Sequence, residues 1–206
     1  MRARHIVALS VLIASFALDG LATSARNIVL AVVPKWFLLS VAEVGDPAIL
    51  AAMVATLFAS GLVARRSRFT RAAVVLASAL TATGLVVLSL KWLASRGPDG
   101  VFYGFGAGEG GIMFPSGHTA MAFAACVVIG AVWRKARWPA CAIAVGVAIS
   151  RVCLAHFFSD VVAGAVIGAA VGQGVVDWAG KERFLELDSG RHAEPAPDPA
   201  SPPAKR

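Results

Sequence analysis

Charged residues are scarce in this chain of 206 residues: they make up 15% of it, where a soluble domain carries about a quarter. Set against 58% hydrophobic residues, that shortage excludes an ordinary water-soluble globule and indicates a chain built for lipid. Cysteine is scarce too. Cys126, Cys141 and Cys153 all lie in apolar runs with no CxxC or Cys/His spacing, so neither a disulfide framework nor a zinc site is indicated. The three read as small buried hydrophobes. A basic stripe is also missing. Lys and Arg number 19 against 12 Asp and Glu, for a formal charge of +7, yet they sit in short clusters between apolar runs. That pattern argues against nucleic-acid binding and makes the charge topological. No strand leads into the alternating glycines Gly104, Gly106, Gly108 and Gly110, so they read as a flexible outer loop and not as a phosphate cradle.

What the chain does have is a series of apolar runs long enough to cross a hydrocarbon core. Residues 47–64 and 72–90 carry no charge, and three further runs follow at about 116–133, 138–155 and 157–176, separated by basic clusters or short polar joints. The first run, 6–18, follows Arg2 and Arg4. It is read as a span extended to residue 22 in preference to the core of a signal peptide. Residues 26–46, with Pro34, Lys35, Trp36 and Glu43, suit a helix lying in the interface. The expected fold is therefore all-α: a polytopic membrane bundle of six transmembrane helices with an interfacial helical segment between the first two. Residues 1–187 form this domain, and the polar, proline-rich residues 188–206 are expected to be a disordered cytoplasmic tail.

Basic residues flanking short loops stay on the cytoplasmic side. Arg2 and Arg4, the cluster Arg65, Arg66, Arg68 and Arg71, the cluster Arg134, Lys135 and Arg137, and Lys181 with Arg183 all fall on one side of this layout. Lys91, Arg96 and Arg151 fall at the outer ends of spans three and five, where topology does not explain them. At that same rim stand Ser116, Gly117 and His118, which begin span four, and His156 and Asp160, which begin span six. Ionisable groups at membrane depth are costly and usually functional, so this convergence is a site hypothesis. His156 and Asp160 are four residues apart, which lets the carboxylate hold the imidazole in one tautomer. An imidazole so held is a nucleophile for phosphorus, His118 a proton donor to the leaving oxygen, and Lys91, Arg96 and Arg151 neutralise phosphoryl oxygens. Ser116, Gly117 and the first amides of the following helix add hydrogen bonds to an anion. The arrangement calls for no metal and no cofactor. His5 and His192 have no such company and read as solvated.

The stretches KWLASRGP from Lys91, FPSGHT from Phe114 and SRVCLAHFFSDV from Ser150 resemble the three signature motifs of the type 2 phosphatidic acid phosphatase (PAP2) superfamily. The resemblance implies a metal-independent lipid phosphatase with His156 as nucleophile and His118 as general acid. It implies a membrane lipid phosphate substrate of the undecaprenyl pyrophosphate, phosphatidylglycerophosphate or lipid A type. It further implies an inner-membrane location with the site facing the periplasm. Two departures stand out. Lys91 is followed by Arg96 and then Gly97-Pro98, without the usual Arg-Pro after six intervening residues, and only Val152 to Ala155 separate Arg151 from His156, one residue fewer than usual. These shortened motifs motivate the competing reading, a membrane protein that binds or transports lipid phosphate without hydrolysing it.

Overall fold

The computed structural model describes residues 3–105 and 112–181, which form eight α-helices; no sheet occurs among the described residues. In chain order these are α1 (Ala3–Ala17), α2 (Asp19–Val32), α3 (Lys35–Glu43), α4 (Pro47–Val63), α5 (Ser67–Ala94), α6 (Gly117–Val132), α7 (Arg137–Leu154) and α8 (Phe158–Lys181). A single 3-10 turn, Arg134–Ala136, joins α6 to α7. The expected tail at 188–206, with His192, and Gly106, Gly108 and Gly110 lie outside the described residues.

Local chemistry sets several boundaries. Asp46 caps α4 by accepting from the amide of Ala48 at 2.7 Å, with Pro47 in the first turn, where its missing N–H costs nothing. Pro34 separates α2 from α3, because it fixes its own φ and has no N–H to continue a helical ladder. The polar Ser95 closes α5 in the left-handed region at φ 40.

Three helices, α5, the α7 segment and α8, are long and apolar enough to cross a membrane. The count rises to five if each of two bent pairs, α1 with α2 and α3 with α4, is one span. The apolar α6, at 16 residues, is shorter, so six crossings require it to count as well. Two expectations change in detail. The first run does not continue straight to residue 22: the chain breaks at Leu18, and α1 and α2 meet at 67°. The segment at 26–46 is not one helix but the end of α2 and the whole of α3, and α3 meets α4 at 48°.

α6 lies at the centre, packed against α5, α7 and above all α8. The core between α4, α5, α6 and α8 is built of small side chains around Leu50, Val75, Leu76 and Val128. Small residues let backbones approach closely, which is how helices associate where no hydrophobic effect operates between them. The glycines of α8 illustrate it. A Cβ added at Gly168 would lie 2.0 Å from the carbonyl oxygen of Ala120 on α6, and one at Gly164 would lie 2.5 Å from that of Ser116. The ridge thus packs α8 onto the helix that begins at Ser116. Gly168→Ala is expected to force α6 and α8 apart and cost about 1–3 kcal/mol. Gly174→Ala, where nothing lies within 4 Å, should not. Thermal unfolding of the two proteins in detergent measures the difference.

Candidate active site

The polar residues gather at one end of the bundle, where the last turns of α5 and α7, the first turn of α6 and the joint into α8 meet. His156 is 8% exposed and sits in that joint, before α8 begins. It is therefore not on a helical face with Asp160, as its spacing implied. The two meet because the chain turns. The amides of Ala155 and His156 both donate to the carbonyl of Arg151, at 3.1 and 2.9 Å, closing α7 in a tight turn. Asp160 then lies in the first turn of α8, wholly buried, and accepts from the amide of Phe157 at 3.1 Å. Its Oδ2 stands 3.5 Å from the buried Nδ1 of His156, an ion-pair distance that is long for a hydrogen bond.

His118, half-buried in the first turn of α6, interacts electrostatically with both His156 and Arg151. The peptide bond Phe114–Pro115 just before it is cis. Ser116 is fully buried; its amide donates to the carbonyl of Asp160 at 2.9 Å and its hydroxyl meets that of Thr119 at 3.1 Å. No side chain caps α6. The amides of Gly117 and His118 open that helix, where the partial positive charge of its N-terminus favours an anion. Lys91, in the last turn of α5, donates to the carbonyl of Ile112 and interacts with Asp160 and Arg151. Arg151 has a buried Nε with no partner.

Arg96 is placed differently from the other cations. Its guanidinium donates to Asp160 at 2.6 Å, to Ser159 at 2.7 Å, to Asp19 at 3.0 Å and to the carbonyl of Gly100 at 3.1 Å. The rings of Phe157, Phe102 and Phe16 surround it at 4.2, 5.1 and 5.6 Å. The expectation for Arg96 changes in emphasis: four of its N–H groups bond protein atoms, so at most one is left for a phosphate. Lys91, His118, Arg151, His156 and Asp160 do come together, with Ser116 and Gly117 at the start of α6.

Two carboxylates escaped the reading of the sequence. Asp19 is the one acidic residue of the apolar amino-terminal segment, a signal in itself given what a charge costs at membrane depth. Asp46 reads locally as a helix cap before a proline; in three dimensions its Oδ2 also lies 3.7 Å from Nε2 of His118. Gly45 permits this. A Cβ there would stand 2.7 Å from the carbonyl oxygen of His118. Among the described residues no group of three His, Cys, Asp or Glu side chains is placed to hold a metal ion. Burial is the chief influence on His156 and lowers its pKa from 6.5; Arg151 and Lys91 act the same way, and Asp160 opposes them.

The family model of the PAP2 superfamily matches residues 72–184, more than half the chain. The chain belongs to that superfamily. Its PAP2 region runs from α5 to just past α8 and includes every predicted site residue, while Asp19 and Asp46 precede it. Membership makes the chain a phosphohydrolase of the PAP2 type. In fold it is similar to a transmembrane PAP2-type phosphatidylglycerolphosphate phosphatase from Bacillus subtilis. The TM-score is 0.66 at 22% identity, over 85% of this chain and 96% of that one. Comparison with curated proteins finds no sequence match.

Arg96 sits between the buried Asp160 and the partly buried Asp19, so removing its charge takes the one cation from both. Arg96→Met is expected to cost about 3–5 kcal/mol, the usual effect of breaking a buried pair from one side. A fall in the thermal midpoint that the Lys91→Met protein does not share is the expected reading.

Proposed function

We propose that this chain is a membrane lipid phosphatase that removes phosphate from a lipid phosphate or pyrophosphate through a phosphohistidine intermediate. One observation carries the reading: two imidazoles, a buried Arg151 Nε without a partner and an uncapped helix N-terminus converge at one spot. An apolar groove begins beside it. This groove, about 380 Å³ between α4 and α5, starts at Pro47, next to Asp46, and is floored by Met121, one helical turn beyond His118. It is lined by Leu50, Val54, Leu80 and Leu88 and contains no ionisable side chain. Hydrocarbon fits the groove and phosphate fits the polar end, a division that suits a lipid phosphate.

In this mechanism the imidazole of His156 keeps its proton on Nδ1, toward Asp160, and the lone pair on Nε2 attacks phosphorus. The P–O bond to the lipid breaks as His118 transfers a proton to the departing oxygen. His118, now neutral, takes a proton from water, whose oxygen attacks the phosphohistidine. The P–N bond breaks and inorganic phosphate leaves. Arg151, Lys91 and the first amides of α6 hold the phosphoryl oxygens as charge shifts among them. Arg96 is assigned a positioning role behind Asp160. The basic clusters Arg65, Arg66, Arg68 and Arg71 and Arg134, Lys135 and Arg137 lie at the opposite end of the helices. The positive-inside rule then directs the site to the periplasmic face of a bacterial inner membrane.

Purified protein in detergent, supplied with phosphatidic acid, phosphatidylglycerophosphate or undecaprenyl pyrophosphate and a chelator, is expected to release phosphate. His156→Ala should abolish release, and His118→Ala should reduce it by about a hundredfold to ten-thousandfold. Undiminished release by both proteins, each still folded, overturns the mechanism.

The pH profile supplies a further check. One imidazole must be neutral and the other protonated, so kcat/KM should be bell-shaped. Because burial lowers the pKa of His156, its neutral form persists to lower pH than in a free imidazole. The acid limb is thus expected below 6.5. A rate flat between about pH 5 and 9 contradicts paired histidine roles.

A further inference from the structure

We infer that Asp19, from the elbow between α1 and α2, is a positioning residue of the active site: it caps α8 and, through Arg96, sets how strongly Asp160 acts on His156. The inference rests on the phosphohistidine reading for its chemistry and on contacts outside the PAP2-matched region for its evidence.

The local need is visible in the chain. α8 is preceded by Phe157, whose side chain has no oxygen to cap the helix, so the first amides need an acceptor from elsewhere. Asp160 reaches back to the amide of Phe157. Asp19 supplies another: its Oδ1 accepts from the amide of Ser159 at 2.7 Å, and its Oδ2 accepts from the Ser159 hydroxyl at 2.6 Å. The same carboxylate takes the outer Nη2 of Arg96 at 3.0 Å, while Nη1 holds Asp160 at 2.6 Å. Arg96 therefore bridges two carboxylates, one through each terminal nitrogen, and its side chain is only 6% exposed. Phe16, three residues before Asp19, packs over Arg96 at 5.6 Å and against Phe114 of the FPSGHT stretch at 6.1 Å. One turn of α1 and the first residue of α2 thus close the site from behind. The break at Leu18 is what turns both side chains toward it.

The electrostatic consequence follows from sharing. With Asp19 present, the positive charge of Arg96 is divided between two anions, and Asp160 keeps more of its negative charge for the imidazolium of His156. With Asp19 neutral, Arg96 acts on Asp160 alone. The other groups that face His156 are Arg151 on α7, Lys91 on α5 and His118 on α6, and none of them touches Asp19. Substituting Asp19 therefore alters the Arg96 bridge and the Ser159 cap and leaves those three groups in place.

The test uses the full chain in detergent with dioleoyl phosphatidic acid, and Asp19→Asn as the variant that keeps shape and removes charge. The kcat is expected to fall about tenfold with KM within about twofold, because groups that contact the substrate are untouched. The acid limb of kcat/KM should move to lower pH by about half a unit, since the imidazolium loses support. Asp19→Glu, which keeps the charge, should hold the limb at the wild-type position even where kcat drops. A readout independent of turnover is the pH dependence of carbethoxylation of His156 by diethyl pyrocarbonate, followed by peptide mass spectrometry; it should shift with the limb. A folded Asp19→Asn protein with wild-type kcat and limb overturns the inference, and so does a lower kcat with an unmoved limb, which would make Asp19 a prop for the fold alone. Should Asp19→Asn fail to fold, a displaced limb in Asp19→Glu overturns it equally. If His156→Ala and His118→Ala retain turnover, the proposed function fails instead, and the carbethoxylation shift still decides the role of Asp19.

Discussion

The site depends on a guanidinium held between two carboxylates in a cage of three aromatic rings. Arg96 is pinned by Asp19 and Asp160, with Phe16, Phe102 and Phe157 covering it. Such a cluster is expensive to desolvate and stable only when every donor finds an acceptor. Here the bonds to Gly100 and Ser159 bring to four the hydrogen bonds that Arg96 donates. Because its members come from α1, α2, the loop after α5 and the start of α8, it ties the amino-terminal elbow to the joint that carries His156.

A second constraint acts between α6 and α8. The glycine face of α8 allows backbone contact with α6, and the amide of Ser116 donates to the carbonyl of Asp160. The helix that carries His118 and the helix that carries Asp160 are thus held together by main-chain atoms, which side-chain motion cannot loosen. Chemistry that shares one phosphorus between two imidazoles needs that rigidity, since small misplacements cost large factors in rate. The apolar groove between α4 and α5 lies on the looser side of the bundle, where α4 is held chiefly by α5.

Much of this was legible in the chain itself. Apolar runs bounded by arginine clusters announced membrane helices, and the three motifs announced the PAP2 superfamily, which the family match bears out. Other features were not legible, for physical reasons. The His156–Asp160 spacing looked helical, yet the pair straddles a turn, because the amides of Ala155 and His156 share the Arg151 carbonyl. Arg96 looked like a phosphate ligand because only its charge and its distance from Lys91 could be read. Cys126 and Cys141, read separately as small hydrophobes, bring their sulfurs within 3.0 Å of each other between α6 and α7.

By itself, the amino-acid sequence determined the solvent this protein folds in, the helices that solvent demands and the family to which its motifs belong. Those properties follow from composition and short-range spacing, which every residue carries wherever it ends up. Only the tertiary structure decided which cations face the site and which are consumed behind it. It alone decided that an aspartate 141 residues before Asp160 belongs to the same cluster. A charge has no partner until the chain has folded, and the helix break at Leu18 that delivers Asp19 is marked in the chain only by Gly20 two residues on, which does not say where Asp19 will point.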